Sequence, residues 1–554
     1  MKLCRQYEFQ LIDLNWERIF LKFQIRTDCC KTAKFALAKF SYKEQKGESA
    51  SSVNVEKMIE ICPDDQQKNV YFFTLNMAAA DGRKFLENGQ WRMVAFVEEE
   101  LCVVSISNAL AYQLESKTRI FPYGERKYSY NVFFTLNSEC DDRIEMFLNS
   151  YFMQLNNDWQ KKRYIQEADT IKKKCKSVFT VTAISGVRLF YRIIEKLFPK
   201  NGKRILFMSE TRESLWGNLK YIEARMKERG MDKEYEFNYS FRKVLGKRHG
   251  ISSWVRTLLC IAKSDYIFID DYAPIFGYLN LTDRTKLIQV WHAGEGFKSV
   301  GYSRFGKDGS PHPGESAHKK YDYVTVGSKK LVHVYEEVFG IEKEAFLPTG
   351  MARLDDFMNQ DKIAQFKRDF YKQYPKLQGK KVILFAPTFR GTGQKEAYYD
   401  YDMLDLKQIY DFCGEEFVFL AKVHPFVTEK IQIPEEYRER IYDFAEYPNI
   451  NDLYYITDVL ITDYSSNYYE YALLEKPVLF YTYDREKYEL IRGVHRSVKE
   501  HAPGKVCDTF EELMDALYQK DYEFEKIEQF VADNFGEYDG RACDRIIDQI
   551  ILKK

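Results

Sequence analysis

Five short segments combine residue types that handle protons and phosphates; four follow an apolar run and the fifth falls at a domain junction. The first is Val290-Trp291-His292-Ala293-Gly294-Glu295-Gly296, with His292 just past a buried run and before a glycine-containing turn. A neutral imidazole can take a proton from an alcohol near neutral pH. His292 therefore reads as a general base, or as a loop histidine that only makes a hydrogen bond. The second segment places Pro387, Thr388 and Arg390 at the end of Lys381 to Ala386. A guanidinium there can fork onto two phosphate oxygens, unless it is an ordinary surface arginine. Lys422 and His424 follow Phe417 to Ala421 and suit a pyrophosphate, with a capping histidine as the competing reading. Asp463, Ser465 and Ser466 follow Val459 to Thr462, and Glu470 lies one turn further. Serines at a helix start form an anion site or a plain N-cap, and Glu470 is placed to hold a ribose diol. Arg353, in Gly350-Met351-Ala352-Arg353, either reaches a cleft or pairs with Asp355 or Asp356.

Strand ends matter because open α/β sheets bind ligands beyond the carboxyl ends of their strands. Buried runs of that kind recur at Arg204–Ser209, Tyr266–Asp270, Leu287–Trp291, Tyr323–Gly327, Lys381–Ala386, Phe417–Ala421, Val459–Thr462 and Pro477–Tyr481. Helical stretches separate them, which implies parallel sheets of βαβ units. The charged, helical segment 355–378 divides the runs into two sets, so two Rossmann-like doubly wound domains are expected over 181–355 and 356–554, facing each other across a cleft. Residues 1–150 alternate apolar and polar side chains in short runs such as Asn69–Leu75, Trp91–Val97 and Tyr130–Leu136, the pattern of an all-β sandwich. Residues 151–180, with Lys161-Lys162-Arg163 and Lys172-Lys173-Lys174, read as a basic helical linker.

The chain of 554 residues carries 83 basic and 83 acidic side chains, so no global field draws it onto nucleic acid. Its 11 cysteines form no Cys-x-x-Cys pair, which argues against a zinc site or a disulfide framework. The N-terminal twenty residues lack the apolar core of a signal peptide, and no run is long enough to span a bilayer. A reduced, cytoplasmic protein is expected. Segment 187–204 is amphipathic and basic, suited either to an anionic lipid surface or to a core-facing helix with a solvated side.

Together these segments resemble the CDP-glycerol glycerophosphotransferase family of teichoic-acid primases and polymerases. The resemblance runs from about Ile205 to Gly540 and includes Ser209-Glu210 with Gly217-Asn218, Gln289 to His292, Ala386 to Arg390, Val423 to Pro425, Leu460 to Ser466, Glu475 to Val478 and Tyr481 to Asp484. The family's Trp-His-Gly is Trp-His-Ala here, and its Gly-x-Pro-Arg is Gly350-Met351-Ala352-Arg353. The resemblance implies a GT-B-like pair of domains acting peripherally at the inner membrane face. It also implies transfer of glycerol phosphate or ribitol phosphate from a CDP-polyol to a lipid-linked polymer acceptor, with release of CMP. His292 and His424 would be the catalytic residues, His292 as base. Arg390, Ser465 and Ser466 would hold the donor's phosphates with His424, and Arg353, Pro387, Thr388, Lys422, Asp463 and Glu470 would complete the donor site. No cofactor and no metal site are expected, since no Asp-x-Asp cluster follows a strand and the adjacent Asp270 and Asp271 point apart if their strand continues. Two other readings are a sugar-nucleotide glycosyltransferase of the same architecture and a non-enzymatic carbohydrate-binding scaffold working through residues 1–150.

Overall fold

Alternating side chains need a two-layered core, and residues 9–154 build theirs from one sheet. The computed structural model describes residues 6–40, 55–98, 100–124, 126–137, 144–154, 182–244, 249–292, 300–307, 310–313, 316–391, 396–492, 497–535 and 538–553. Among these, twelve strands from Phe9 to Gln154 join in a single hydrogen-bonded sheet, nine along one path and three branching from it, mostly antiparallel. The expected sandwich of separate sheets is thus corrected to one sheet folded over itself. Strands Ala33–Phe40 and Val70–Asn76 lie far apart along that path, yet Phe35 meets Tyr71 and Phe73 at ring distances of 4.8 and 5.0 Å. Register irregularities at Leu11/Asp13 and Lys39/Phe40 supply bending, because an extra residue in one strand kinks it. The last strand, Glu145–Gln154, runs past the expected boundary at 150, and the expected helical linker falls on residues 155–181, outside the described residues.

Helix α1 spans residues 182–197 and leads into a parallel sheet. Its strands are β1 (Arg204–Ser209), β2 (Glu236–Phe241), β3 (Tyr266–Ile269), β4 (Lys286–Gln289), β5 (Tyr323–Thr325) and β6 (Phe346–Leu347), in spatial order β2-β1-β3-β4-β5-β6. Helix α2 (Gly217–Glu228) follows β1 and packs Leu219, Ile222 and Met226 inward at helical spacing. Helix α3 (Ile251–Lys263) covers the opposite face beside α1. Helix α4 (Gln360–Gln373) then leads to a second parallel sheet. That sheet comprises β7 (Lys381–Phe385), β8 (Phe417–Ala421), β9 (Ile441–Asp443), β10 (Val459–Thr462), β11 (Val478–Tyr481) and β12 (Lys505–Cys507). Its order, β9-β8-β7-β10-β11-β12, reverses direction between β7 and β10.

Sequence patterning missed β2, β6, β9 and β12. These strands are short or partly exposed, as in the half-exposed Glu236-Phe-Asn-Tyr-Ser-Phe241, so no continuous apolar run marks them. Residues 542–552, expected in the second domain, pack on the first. Helix α6 (Ala542–Ile546; α5 is described below) and the turn after it bury Ile546, Ile547 and Ile550 against Leu219, Ile222 and Met226. Arg225 grips Asp544 through two bonds of 2.9 Å, and Arg229 reaches Asp548 at 2.6 Å. One cluster of buried side chains runs through both parallel sheets, from Trp291 and Phe339 to Leu384 and Tyr454.

Candidate functional site

The switch point between β7 and β10 brings two expected segments side by side. Pro387 to Arg390 leave β7, and Asp463 to Ser466 leave β10. The Asp463 carboxylate ties them together by accepting from Thr388 N (2.7 Å), Tyr464 N (2.6 Å) and Arg390 Nη1 (2.6 Å). Asn467 adds a second tie: its Nδ2 donates to Ala386 O at 2.8 Å and its Oδ1 accepts from Thr462 Oγ1.

Arg390 does not present its fork to the cleft. It is 5% exposed, and the fork is closed on Asp484 through Nε–Oδ2 (2.8 Å) and Nη2–Oδ1 (2.9 Å), while Nη1 also reaches Thr388 O. Rings of Tyr399, Tyr464, Tyr483 and Tyr488 surround it at 5.1–5.5 Å. In this arrangement the donors of Arg390 are taken by the buried Asp463 and the partly exposed Asp484 instead of pointing outward. Asp463 and Thr388, both buried, belong to the same brace.

The serines also stand differently from expectation. Helix α5 (Tyr468–Ala472) begins after Asn467, so Ser465 and Ser466 lie half-buried in the turn before it instead of capping it. Lys422 is buried with Nζ on Ala445 O at 2.6 Å, and burial lowers its pKa. His424 Nδ1 accepts from Phe426 N at 3.1 Å, so the proton of its neutral ring sits on Nε2. Phe389 and Phe426 pack on that ring at 4.8 and 4.7 Å.

On the first sheet, Asp270 and Asp271 follow β3, and His292 follows β4. His292 Nδ1 lies 3.1 Å from Asp270 O. A carbonyl only accepts, so Nδ1 carries the hydrogen and Nε2 is left with a lone pair. Asp271 Oδ2, 3.9 Å from Nδ1, favours the same arrangement. The side chain is 41% exposed and can meet a substrate. Burial raises the Asp270 carboxyl, opposed by Ser209 and by Arg212 at 3.5 Å. The expected glycine-containing turn, residues 293–299, lies outside the described residues.

A single guanidinium joins the two halves. Arg353 Nη1 donates to His292 O at 2.5 Å, and Nη2 pairs with Glu470 Oε1 on α5. Its carboxylate partner is therefore Glu470 rather than Asp355 or Asp356. Asp355 instead accepts from Ala542 N (3.0 Å) and Cys543 N (2.9 Å). One planar group thus bonds both the backbone of the base candidate and Glu470, on the helix that follows the Ser465-Ser466 turn.

Residues 189–552 match the family described as CDP-Glycerol:Poly(glycerophosphate) glycerophosphotransferase. Two relatives extend the match. A teichoic acid poly(ribitol-phosphate) polymerase of Bacillus spizizenii is 32% identical over 495 residues, covering 86% of this chain and 77% of the relative. The teichoic acid ribitol-phosphate polymerase TarL of Staphylococcus aureus is 31% identical, covering 86% of this chain and 89% of its own length. The chain belongs to this family. Members are CDP-polyol phosphotransferases of teichoic acid synthesis, and this chain shares that activity class. Its fold is similar to that of the wall teichoic acid polymerase TagF, with TM-score 0.53, 22% identity, and coverage of 70% of this chain and 98% of TagF.

Several residues beside His292 and the second-sheet loops had no role assigned from sequence. Asn218 and Gln289 hold the backbone that carries His292, while Asn467 and Asp484 lock the second-sheet loops. All four lie within or beside motifs visible in the sequence. Their partners are distant in the chain, so nothing local signalled what they hold.

Proposed function

We propose that this chain extends a lipid-linked teichoic acid by transferring ribitol phosphate from CDP-ribitol, with His292 as general base. The supporting observation is the Arg353 bridge, which sets the His292 backbone and Glu470 about one guanidinium apart. Ribitol is favoured over glycerol because ribitol-phosphate polymerases match over 86% of this chain, whereas a glycerol-phosphate primase and a poly(glycerol phosphate) polymerase match over 53% and 60%.

An acceptor hydroxyl attacks the ribitol-side phosphorus, and its proton passes to His292 Nε2. The new P–O bond forms as the bond to the CMP phosphate breaks, and CMP leaves with its charge unmasked. Such transfers depend mainly on positioning and on fixed donors aimed at the developing charge. His424, whose Nε2–H suits donation, and Ser465 and Ser466 take the phosphates, and Glu470 takes the ribose. Pro387, Thr388, Arg390, Lys422 and Asp463 hold the loops that present them, and Arg353 links the two sides. The reaction takes place at the cytoplasmic face of the membrane, where lipid-linked acceptor is available.

CMP release from CDP-ribitol and CDP-glycerol, with lipid-linked acceptors, tests the reading. His292→Ala is expected to lower kcat by about 10²–10⁴-fold while donor binding persists. Turnover of CDP-glycerol alone would reassign the donor, and lost donor binding with residual chemistry would remove His292 from the base role.

A further inference from the structure

We propose that Asn218 is a positioning residue for His292, an inference that rests on His292 being the base. Trp291 has φ +41°, a left-handed backbone that a bulky side chain does not adopt without support. The support comes from side chains. Gln289 Oε1 accepts from Trp291 N at 2.9 Å, while the Asn218 amide donates to Val290 O at 2.9 Å and to Trp291 O at 2.6 Å. Asn218 Oδ1 in turn accepts from Arg353 N at 2.9 Å, and Arg353 donates to His292 O. One planar amide thus uses two donations and one acceptance to fix the three residues that aim the imidazole.

The local sequence is built to deliver that amide. Gly217 has φ +55°, turning the chain so that Asn218 enters the first turn of α2 beneath β4. Asn218 is 2% exposed, and its three bonds satisfy it without touching the substrate side. No other small side chain offers this set. An aspartate keeps the acceptor and loses both donations, and an alanine loses all three. A displaced carbonyl at Trp291 moves the imidazole relative to the acceptor oxygen, to which proton transfer is steeply sensitive.

The experiment uses the full chain with Asn218→Ala, Asn218→Asp and His292→Ala, alone and combined. Three quantities are read: thermal midpoint, dissociation constant for whichever CDP-polyol is turned over, and kcat by CMP release. Both Asn218 variants should lose about 10- to 100-fold in kcat with the donor constant changed less than about 2-fold. Added to His292→Ala, Asn218→Ala should change the residual rate by less than about 2-fold, since its effect passes through a ring already gone. An equal loss in both backgrounds, wild-type kcat in both variants, or failure of both to fold would overturn the proposal. Separately, His292→Ala keeping more than about a tenth of wild-type kcat would overturn the base reading itself, whatever Asn218 does.

Discussion

The donors of Arg390 meet two carboxylates and a carbonyl in a site it shares with four tyrosine rings. Removing the guanidinium leaves Asp463 and Asp484 with their charges uncompensated, which is strongly unfavourable when a group is buried. Arg390→Ala is expected to lower unfolding free energy by about 3–5 kcal/mol in denaturant titration. Arg390→Lys should recover only part, because an ammonium cannot close a fork. Retention of wild-type stability by the alanine variant would show that the brace is not structural. His318 offers a second test at this scale. It is buried with Nδ1 3.0 Å from Tyr321 Oη, and burial lowers its pKa from 6.5 to about 3. Between those values the unfolded ring binds a proton that the folded ring refuses, so stability is full above pH 6.5 and falls as pH drops toward about 3. His318→Asn, which cannot titrate, should flatten the thermal midpoint against pH across that window, and an unchanged slope would count against it.

Helices α1 and α3 form one face of the first parallel sheet, and their outer sides are not those of ordinary solvated helices. Leu189, Ile193 and Leu197, each four residues apart on α1, are 61%, 48% and 66% exposed, and Ile251 and Trp254 on α3 are also exposed. Arg192 and Lys196 lie beside them, exposed. No helix among the described residues is long and apolar enough to cross a membrane. An apolar stripe flanked by basic side chains instead suits a helix lying in a lipid interface. Replacing Leu189, Ile193 and Leu197 by serine should abolish flotation with anionic vesicles while leaving donor affinity and thermal midpoint unchanged. Flotation equal to wild type would return the stripe to plain surface.

The β unit is not an appendage on a tether. Tyr302 and Phe305, a short way along the chain from His292, are buried in its core with Phe85, Phe121 and Tyr130. Arg83 donates to Lys319 O and Tyr321 O, Asn76 to Glu336 O, and Lys319 to Ala78 O. The chain that follows the base candidate is therefore anchored in the β unit. Phe305→Ala should cost about 3–5 kcal/mol through the cavity it leaves, and should split thermal unfolding into two calorimetric transitions. A single, unshifted transition would mean that Phe305 does not couple the β unit to the parallel-sheet domains.

From its order of residues alone, the chain disclosed the kind of fold and the candidate segments at its strand ends. Buried strands declare themselves as apolar runs, and ligand-handling residues must follow their carboxyl ends, so His292, His424 and the turn at Ser465 and Ser466 were legible locally. Their use was not. Arg390 has the same sequence signature whether it grips a phosphate or Asp484, and Asp484 lies 94 residues away. Arg353 could have paired with its neighbours, but folding brought Glu470, 117 residues on, into its reach. Asn218 looks like any helix-start asparagine until β4 is laid over it. Which donor meets which acceptor depends on distances that only packing fixes, and a buried charge takes the partner that packing supplies.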